Sequence, residues 1–287
     1  MGARFGPAGN AESFYEQGYK STVQAPGWLE KMGLSAYEYQ CGRGVRVNDG
    51  TLASMRAKAA EHGIAVSLHA PYYISLASAE MEKRDNSITY ILDSAKAVAA
   101  MGGDRIVVHP GGLGGVSREE ATAAAVETLR RAQYALDEAG LSQVHICPET
   151  MGKINQLGNL DEVLQMCGVD ERFYPCIDFG HLNSRTGGEV NGYVAFESVW
   201  KTIHNTLGEE RGKVFHTHFS KIEYSTGGEK KHLTFSDSVF GPEPNDLMRL
   251  IVDRDLSPVI ICQSAGTQAK DALAMKRLYD AYKEENR

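Results

Sequence analysis

Short apolar runs alternate with amphipathic helical windows along almost the whole chain, and this alternation constrains the fold more than any other feature. The candidate strands are 36–41 (AYEYQC), 65–69 (AVSLH), 105–109 (RIVVH), 143–149 (QVHICPE), 174–178 (YPCID), 213–218 (KVFHTH) and 258–263 (PVIICQ), with a weaker one at 3–6 (ARFG). The spacing of apolar residues predicts helices at 51–62, 85–101, 118–139, 160–167, 193–208, 244–253 and 270–284. In 85–101, for example, Ile88, Ile91, Leu92, Ala95, Val98 and Ala99 recur at three- and four-residue spacing, and Gly102–Gly103 follows as a stop. Strand and helix repeating in series, with no linker between units, imply a parallel sheet with helical crossovers. Seven or eight such units in 287 residues fit a closed (β/α)8 TIM barrel, one domain over 1–287, better than an open sheet. No GxGxxG follows the first strand to suggest a dinucleotide fold.

Composition narrows the class further. Thirty basic against 37 acidic residues leave a net charge of −7, which argues against nonspecific coating of nucleic acid but leaves room for a local basic patch. No run of 18 apolar residues occurs and the opening MGARFGPAGNAESF has no apolar h-region, so neither a membrane span nor a secretory signal is expected. The five cysteines (41, 147, 167, 176, 262) lack CxxC spacing, and three lie in apolar runs; they read as reduced, buried thiols of a cytoplasmic protein.

The chemistry concentrates where the strands end. His69, His109, Glu149, Asp178, His218 and Gln263 close successive predicted strands, and in a barrel such positions converge on the C-terminal rim. A lone histidine there is ordinarily a satisfied rim residue. The ensemble is different, because His, His, Glu, Asp and His are the ligand types of a polynuclear site for a borderline metal such as zinc. Asp178-Phe-Gly-His181 adds an imidazole three residues on, and His232 lies in the loop beyond the seventh strand. A bridging carboxylate, for which Glu149 is central in strand order, can hold two cations about 4 Å apart.

Six motifs in register, LHAPYYISLAS (68–78), VVHPGG (107–112), PETMGKINQLG (148–158), DFGH (178–181), HFSK (218–221) and KKHLTF (230–235), resemble endonuclease IV. That family comprises zinc-dependent apurinic/apyrimidinic endonucleases with the barrel fold, in the superfamily shared with xylose isomerases. The likeness runs from about residue 35 to the end; before it, Arg4-Phe-Gly-Pro does not reproduce the family's Gly-Ala-His signature. The resemblance implies that His69, His109 and Glu149 ligate one zinc. It implies that Glu149 bridges to a second, held by Asp178 and His218, and that His181 and His232 belong to a third. Manganese is an alternative ion. The implied reaction is attack by a metal-bound hydroxide on the phosphodiester 5′ to an abasic deoxyribose in duplex DNA, leaving a 3′-hydroxyl. No membrane or protein partner is implied.

Two departures qualify that expectation. Gln263 stands where the family has a Glu that ligates the second zinc and helps orient the nucleophile; a neutral amide is a poorer ligand, so impaired turnover is expected. Glu-to-Gln is also the isosteric change made to silence an enzyme, so the position reads as either engineered inactivation or natural loss. The family's Asp-x-His at the third zinc reads Lys230-Lys231-His232 here, and Glu229 could substitute only if the loop bulges. For DNA, Tyr72, matched to the family's space-filling Tyr, and its neighbour Tyr73 suit the gap left by a flipped-out nucleotide, or simply cap the rim. Arg43 and Arg46 suit a minor groove, or a solvated loop. Lys221, Lys230 and Lys231 could touch phosphates, or equally belong to a solvated surface, while His62, His145, His204 and His216 receive no role.

Two other classes remain open. A sugar isomerase or epimerase of the same superfamily would use one divalent cation at Glu149, Asp178, His218 and position 263, but would not need His69, His109 and His181. A non-catalytic module binding damaged DNA is the other.

Overall fold

The computed structural model describes residues 2–286. Its ten strands are β1 (Arg4–Pro7), β2 (Ala36–Gln40), β3 (Ala65–His69), β4 (Arg105–Val108), β5 (His145–Pro148), β6 (Cys176–Asp178), β7 (His216–Phe219), β8 (Ile222–Ser225), β9 (Gly228–His232) and β10 (Val259–Cys262). The helices are α1 (Glu12–Glu16), α2 (Ala25–Lys31), α3 (Asp49–Glu61), α4 (Met81–Ala100), α5 (Arg118–Glu138), α6 (Leu160–Cys167), α7 (Phe179–Arg185), α8 (Tyr193–Leu207), α9 (Glu209–Val214), α10 (Asn245–Asp253) and α11 (Gln268–Glu285).

Two parallel four-stranded sheets, β1-β10-β7-β6 and β2-β3-β4-β5, form the two halves of the barrel. Parallel bridges Ala8–Glu38 and Glu149–Cys176 join them at both seams, so the sheet closes on itself. At the first seam Gly6 is obligatory, since a Cβ there would lie 1.7 Å from the Ala36 carbonyl oxygen. The helices pack their apolar faces around this sheet. Capping boxes at Ser117 and Asn159 start α5 and α6, with Glu120 and Glu162 as the reciprocating acids.

The expected units are all present, and the weak first strand is real. The predicted strand 213–218 begins too early, because Lys213 and Val214 end α9 and pairing starts at His216. That short helix carries Glu209 and Glu210 in its first turn and Arg211 and Lys213 in its last, the charge order its dipole favours. Likewise Tyr174 and Pro175 precede β6. The helices α1, α2, α7 and α9 and the antiparallel β8–β9 hairpin had no counterpart in the sequence reading. All five cysteines are buried and free. No helix among the described residues is long and apolar enough to cross a membrane.

Candidate metal centre

Period-two alternation sends the rim residues inward. His69 ends β3, Asp178 ends β6, His218 lies within β7, and His109, Glu149 and Gln263 follow β4, β5 and β10 by one residue. Glu149 is the hub. Its Oε2 lies 3.0 Å from His109 Nε2 and 3.3 Å from His69 Nε2, while Oε1 lies 2.9 Å from His218 Nδ1. Asp178 does two things at once. Its Oδ1 accepts from the His181 backbone N–H at 2.7 Å as the cap of α7, which fixes His181 on the first turn; its Oδ2 points at the cluster, 3.4 Å from His181 Nδ1.

Among the described residues four groups of ligand atoms lie mutually within 4.8 Å, three of them around this centre: His69, His109 and Glu149; Glu149, Asp178 and His218; His181, Glu229 and His232; the fourth is Cys176, His216 and His218. The donor set fits divalent cations on a specific observation. Glu149 Oε2 and Asp178 Oδ2 are buried oxygens with no hydrogen-bond donor, although imidazole nitrogens stand near both. Buried carboxylate oxygens are costly without a partner, and a shared cation is the partner this geometry suits. The imidazoles are already oriented for it. His69 Nδ1 faces the Ala70 carbonyl at 2.9 Å, His181 Nδ1 the Thr150 carbonyl at 2.8 Å, and His232 Nδ1 the Ser220 hydroxyl at 2.7 Å. Each leaves Nε2 toward the cluster, the arrangement in which an outer acceptor fixes the tautomer of a metal ligand.

Charge coupling follows from this crowding. Burial raises the Glu149 carboxyl, but His218 and His109 overcome it and hold it well below the usual range. Burial lowers His69 and Glu149 reverses the sign, leaving it raised; for His181, Asp178 and Glu229 likewise outweigh burial. At His109 burial prevails and the imidazole is lowered.

The third group answers the question left open at Lys230. In the β8–β9 hairpin Glu223 pairs with Lys231 but Tyr224 pairs with Glu229, so Lys230 is an extra, bulged residue. A one-residue slip exchanges the faces of a strand, and here it turns Glu229 inward, with its Oε2 3.4 Å from His181 Nε2 and Oε1 3.8 Å from His232 Nε2. Gly228 makes the approach possible. At φ +89°, with a Cβ position only 2.2 Å from the Gly152 carbonyl oxygen, it lets the hairpin dock on the loop after β5. Lys230 and Lys231 instead face Glu223 on the outside. Lys221 is corrected too: it is buried, bound to Glu243 at 2.5 Å and the Asp237 carbonyl at 2.7 Å, and holds a loop rather than facing solvent.

Gln263 reaches the centre, its Nε2 2.9 Å from His218 Nδ1. A cavity of about 280 Å³ opens above, lined by His69, His109, His181, Glu229, His232 and Gln263 and walled by Tyr72, Met151, Lys153 and Gln156. Tyr72, 57% exposed, stacks on His109 with ring centroids 5.2 Å apart. Tyr73 turns away to Tyr90 on α4, and Arg43 and Arg46 share with Tyr72 an adjoining cavity of about 410 Å³. Sequence reading missed Lys153 and Gln156, which sit in an irregular loop without a periodic signal. It also missed Glu38, a buried acid within β2.

The chain belongs to the xylose isomerase-like TIM barrel family, matched over residues 26–279. It is similar to an uncharacterized protein of Methanocaldococcus jannaschii, at 35% identity over 86% of this chain and 88% of the relative. It is also similar to a protein of Mycoplasma pneumoniae named probable endonuclease 4, at 30% identity over 68% of this chain and 65% of that one. Among solved structures, a D-tagatose 3-epimerase-like protein shares the fold with a TM-score of 0.73 at 17% identity, covering 98% of this chain and 97% of that one. The resemblance to endonuclease IV thus returns in curated relatives, while the fold alone is common to both nucleases and epimerases.

Proposed function

We propose that this protein is a metal-dependent endonuclease of the endonuclease IV type, hydrolysing the phosphodiester 5′ to an abasic site in duplex DNA. The single observation that carries the reading is the surplus of ligands: His69, His109 and the His181–Glu229–His232 group surround a Glu149–Asp178–His218 set that would by itself suffice for one cation. Zinc suits the imidazole-rich donors, with manganese as alternative, and the three groups give places for two or three ions. Bound there, such ions would supply Lewis-acid polarisation of a phosphate and a water acidified toward neutrality.

The chain's own residues then do the rest. Glu149 and Asp178 would hold the ions and offset their charge. Tyr72, at the cavity mouth, fills the space of the absent base, without Tyr73, which packs on Tyr90 instead, and Arg43 and Arg46 contact the groove on the same side. Lys153 reaches a flanking phosphate. Gln263 offers an amide where a carboxylate would add charge and orient the attacking water, so turnover is lowered. A single-ion sugar epimerase is the second reading, favoured by the complete Glu149–Asp178–His218 group in a fold that epimerases share.

Incision of a duplex carrying one abasic-site analogue, by the zinc-loaded protein and its Gln263→Glu variant, tests the proposal. Cleavage on the 5′ side, stronger in the variant, is expected. Absence of cleavage by both, together with interconversion of ketoses, would establish the epimerase instead.

A further inference from the structure

Glu38 lies one layer below the metal centre, in the barrel lumen, and is fully buried. Its Oε2 lies 3.1 Å from His216 Nε2 and 3.0 Å from His218 Nε2, and accepts from the Ser67 hydroxyl at 3.2 Å; Oε1 accepts from Gln40 Nε2 at 3.0 Å. Among the described residues its ion-pair partners are His216 and His218, with no Lys or Arg. A buried carboxylate is expensive to keep.

What Glu38 does is visible in which nitrogens meet it. His216 and His218 stand two residues apart on β7 and face the same side. A carboxylate oxygen at hydrogen-bond distance requires an N–H, so His218 carries hydrogen on Nε2. Its other nitrogen, Nδ1, is thereby the one presented to Glu149 and the Asp178 group; at 2.9 Å from Glu149 Oε1 it too carries a proton in the metal-free chain, and that is the proton a cation would displace. His216 has no further task of this kind: its Nδ1 is buried without a partner, and its Nε2–H braces the same oxygen. Cys176, beside both rings, offers a thiol that burial keeps protonated.

We propose that Glu38, braced by His216, is a positioning residue that locks the Nε2–H tautomer and ring orientation of His218, and so sets the cation affinity of the Glu149–Asp178–His218 group. This rests on the metal-dependent reading above. Outer-shell acceptors of this sort commonly govern metal affinity by about 10–100-fold. Both rings meet Oε2, so a Leu at 38 removes the shared acceptor outright, whereas Asp keeps the charge but withdraws it.

The test uses the full chain, with zinc affinity from competition against a chromogenic chelator and the His218 tautomer from long-range ¹H–¹⁵N correlation spectra. In Glu38→Leu the weakest-held zinc should bind about 10–100-fold less tightly and the Nε2–H signature of His218 should be lost. Glu38→Asp should keep the tautomer and lose less affinity; it also serves if the Leu variant does not fold. Unchanged affinity with an unchanged tautomer would overturn the proposal, whatever happens to the unfolding temperature, because a merely structural carboxylate moves only the latter. Should the parent protein take up no zinc, the metal reading fails by itself. The tautomer of metal-free His218 above its titration range then still decides whether Glu38 holds the ring: Nε2–H in the parent and not in Glu38→Leu supports it, and the same tautomer in both overturns it.

Discussion

Glu149 and Glu162 are both buried glutamates that follow β5, yet their surroundings are opposites. Glu162, on the first turn of α6, receives Arg118 through Nε at 2.6 Å and Nη2 at 2.8 Å, with the Gly158 and Asn159 N–H groups at 2.7 and 2.9 Å. Every lone pair it needs to satisfy is answered by a fixed donor. Glu149 meets only imidazoles, and its Oε2 lacks a donor in bonding geometry. One carboxylate is tied into the chain, while the other keeps a buried oxygen without a donor. The contrast gives a practical criterion: a buried acid marks a functional centre when its oxygens are left unanswered by N–H groups.

Replacing the two residues should therefore separate stability from binding. Glu149→Gln should lower zinc uptake by at least about 100-fold, as loss of a shared ligand affects two ions, with little cost to the unfolding free energy of the metal-free chain. Glu162→Gln should do the reverse, costing about 2–3 kcal/mol in denaturant unfolding while elemental analysis finds the same zinc content. Equal loss of zinc in both variants would erase the distinction.

Gln263→Glu sharpens the same comparison from the other side, since it adds charge where the centre is short of it. Incision should rise by about 100-fold, the magnitude typical of one preorganised electrostatic group. Glu229→Gln should remove one ion and leave the others; a full complement of zinc would show that the bulged residue is only a neighbour. Tyr72→Ala should weaken binding of abasic duplex by about 10-fold in a titration without changing zinc content, in line with the loss of one stacking ring.

The smallest effect is one of pH. His69, His181 and His218 are raised above the ordinary imidazole value in the metal-free protein, so each tends to hold a proton that a cation must displace. Zinc affinity should accordingly be weak below about pH 6.5 and rise with pH as these groups release their protons. Affinity independent of pH across that range would mean that these imidazoles are not ligands.

How far this was legible in the sequence follows from the same geometry. Strand ends converge by topology, so His69, His109, Glu149, Asp178 and His218 could be placed together from their order alone. Glu229 could not, because a β-bulge at Lys230 decides which face the hairpin turns inward, and no local composition announces it. Glu38 was hidden for a different reason. Its strand, AYEYQ, reads as alternating Tyr and polar residues, so the acid looks like a solvent-facing position when it fills the barrel lumen. Lys221 misled in the opposite direction: a lysine after a strand suggested solvent, and the loop at 237–243 buries it.

The central claim is that the unanswered oxygens of Glu149 and Asp178 mark a polynuclear metal centre. Anomalous diffraction from zinc-grown crystals, recorded on both sides of the zinc absorption edge, tests it most directly. The account predicts peaks within bonding distance of Glu149, one toward His69 and His109 and one toward Asp178 and His218, with a further peak beside Glu229. Zinc-edge maps without a peak at Glu149, in crystals whose His69 and His218 rings keep the positions described, would contradict it.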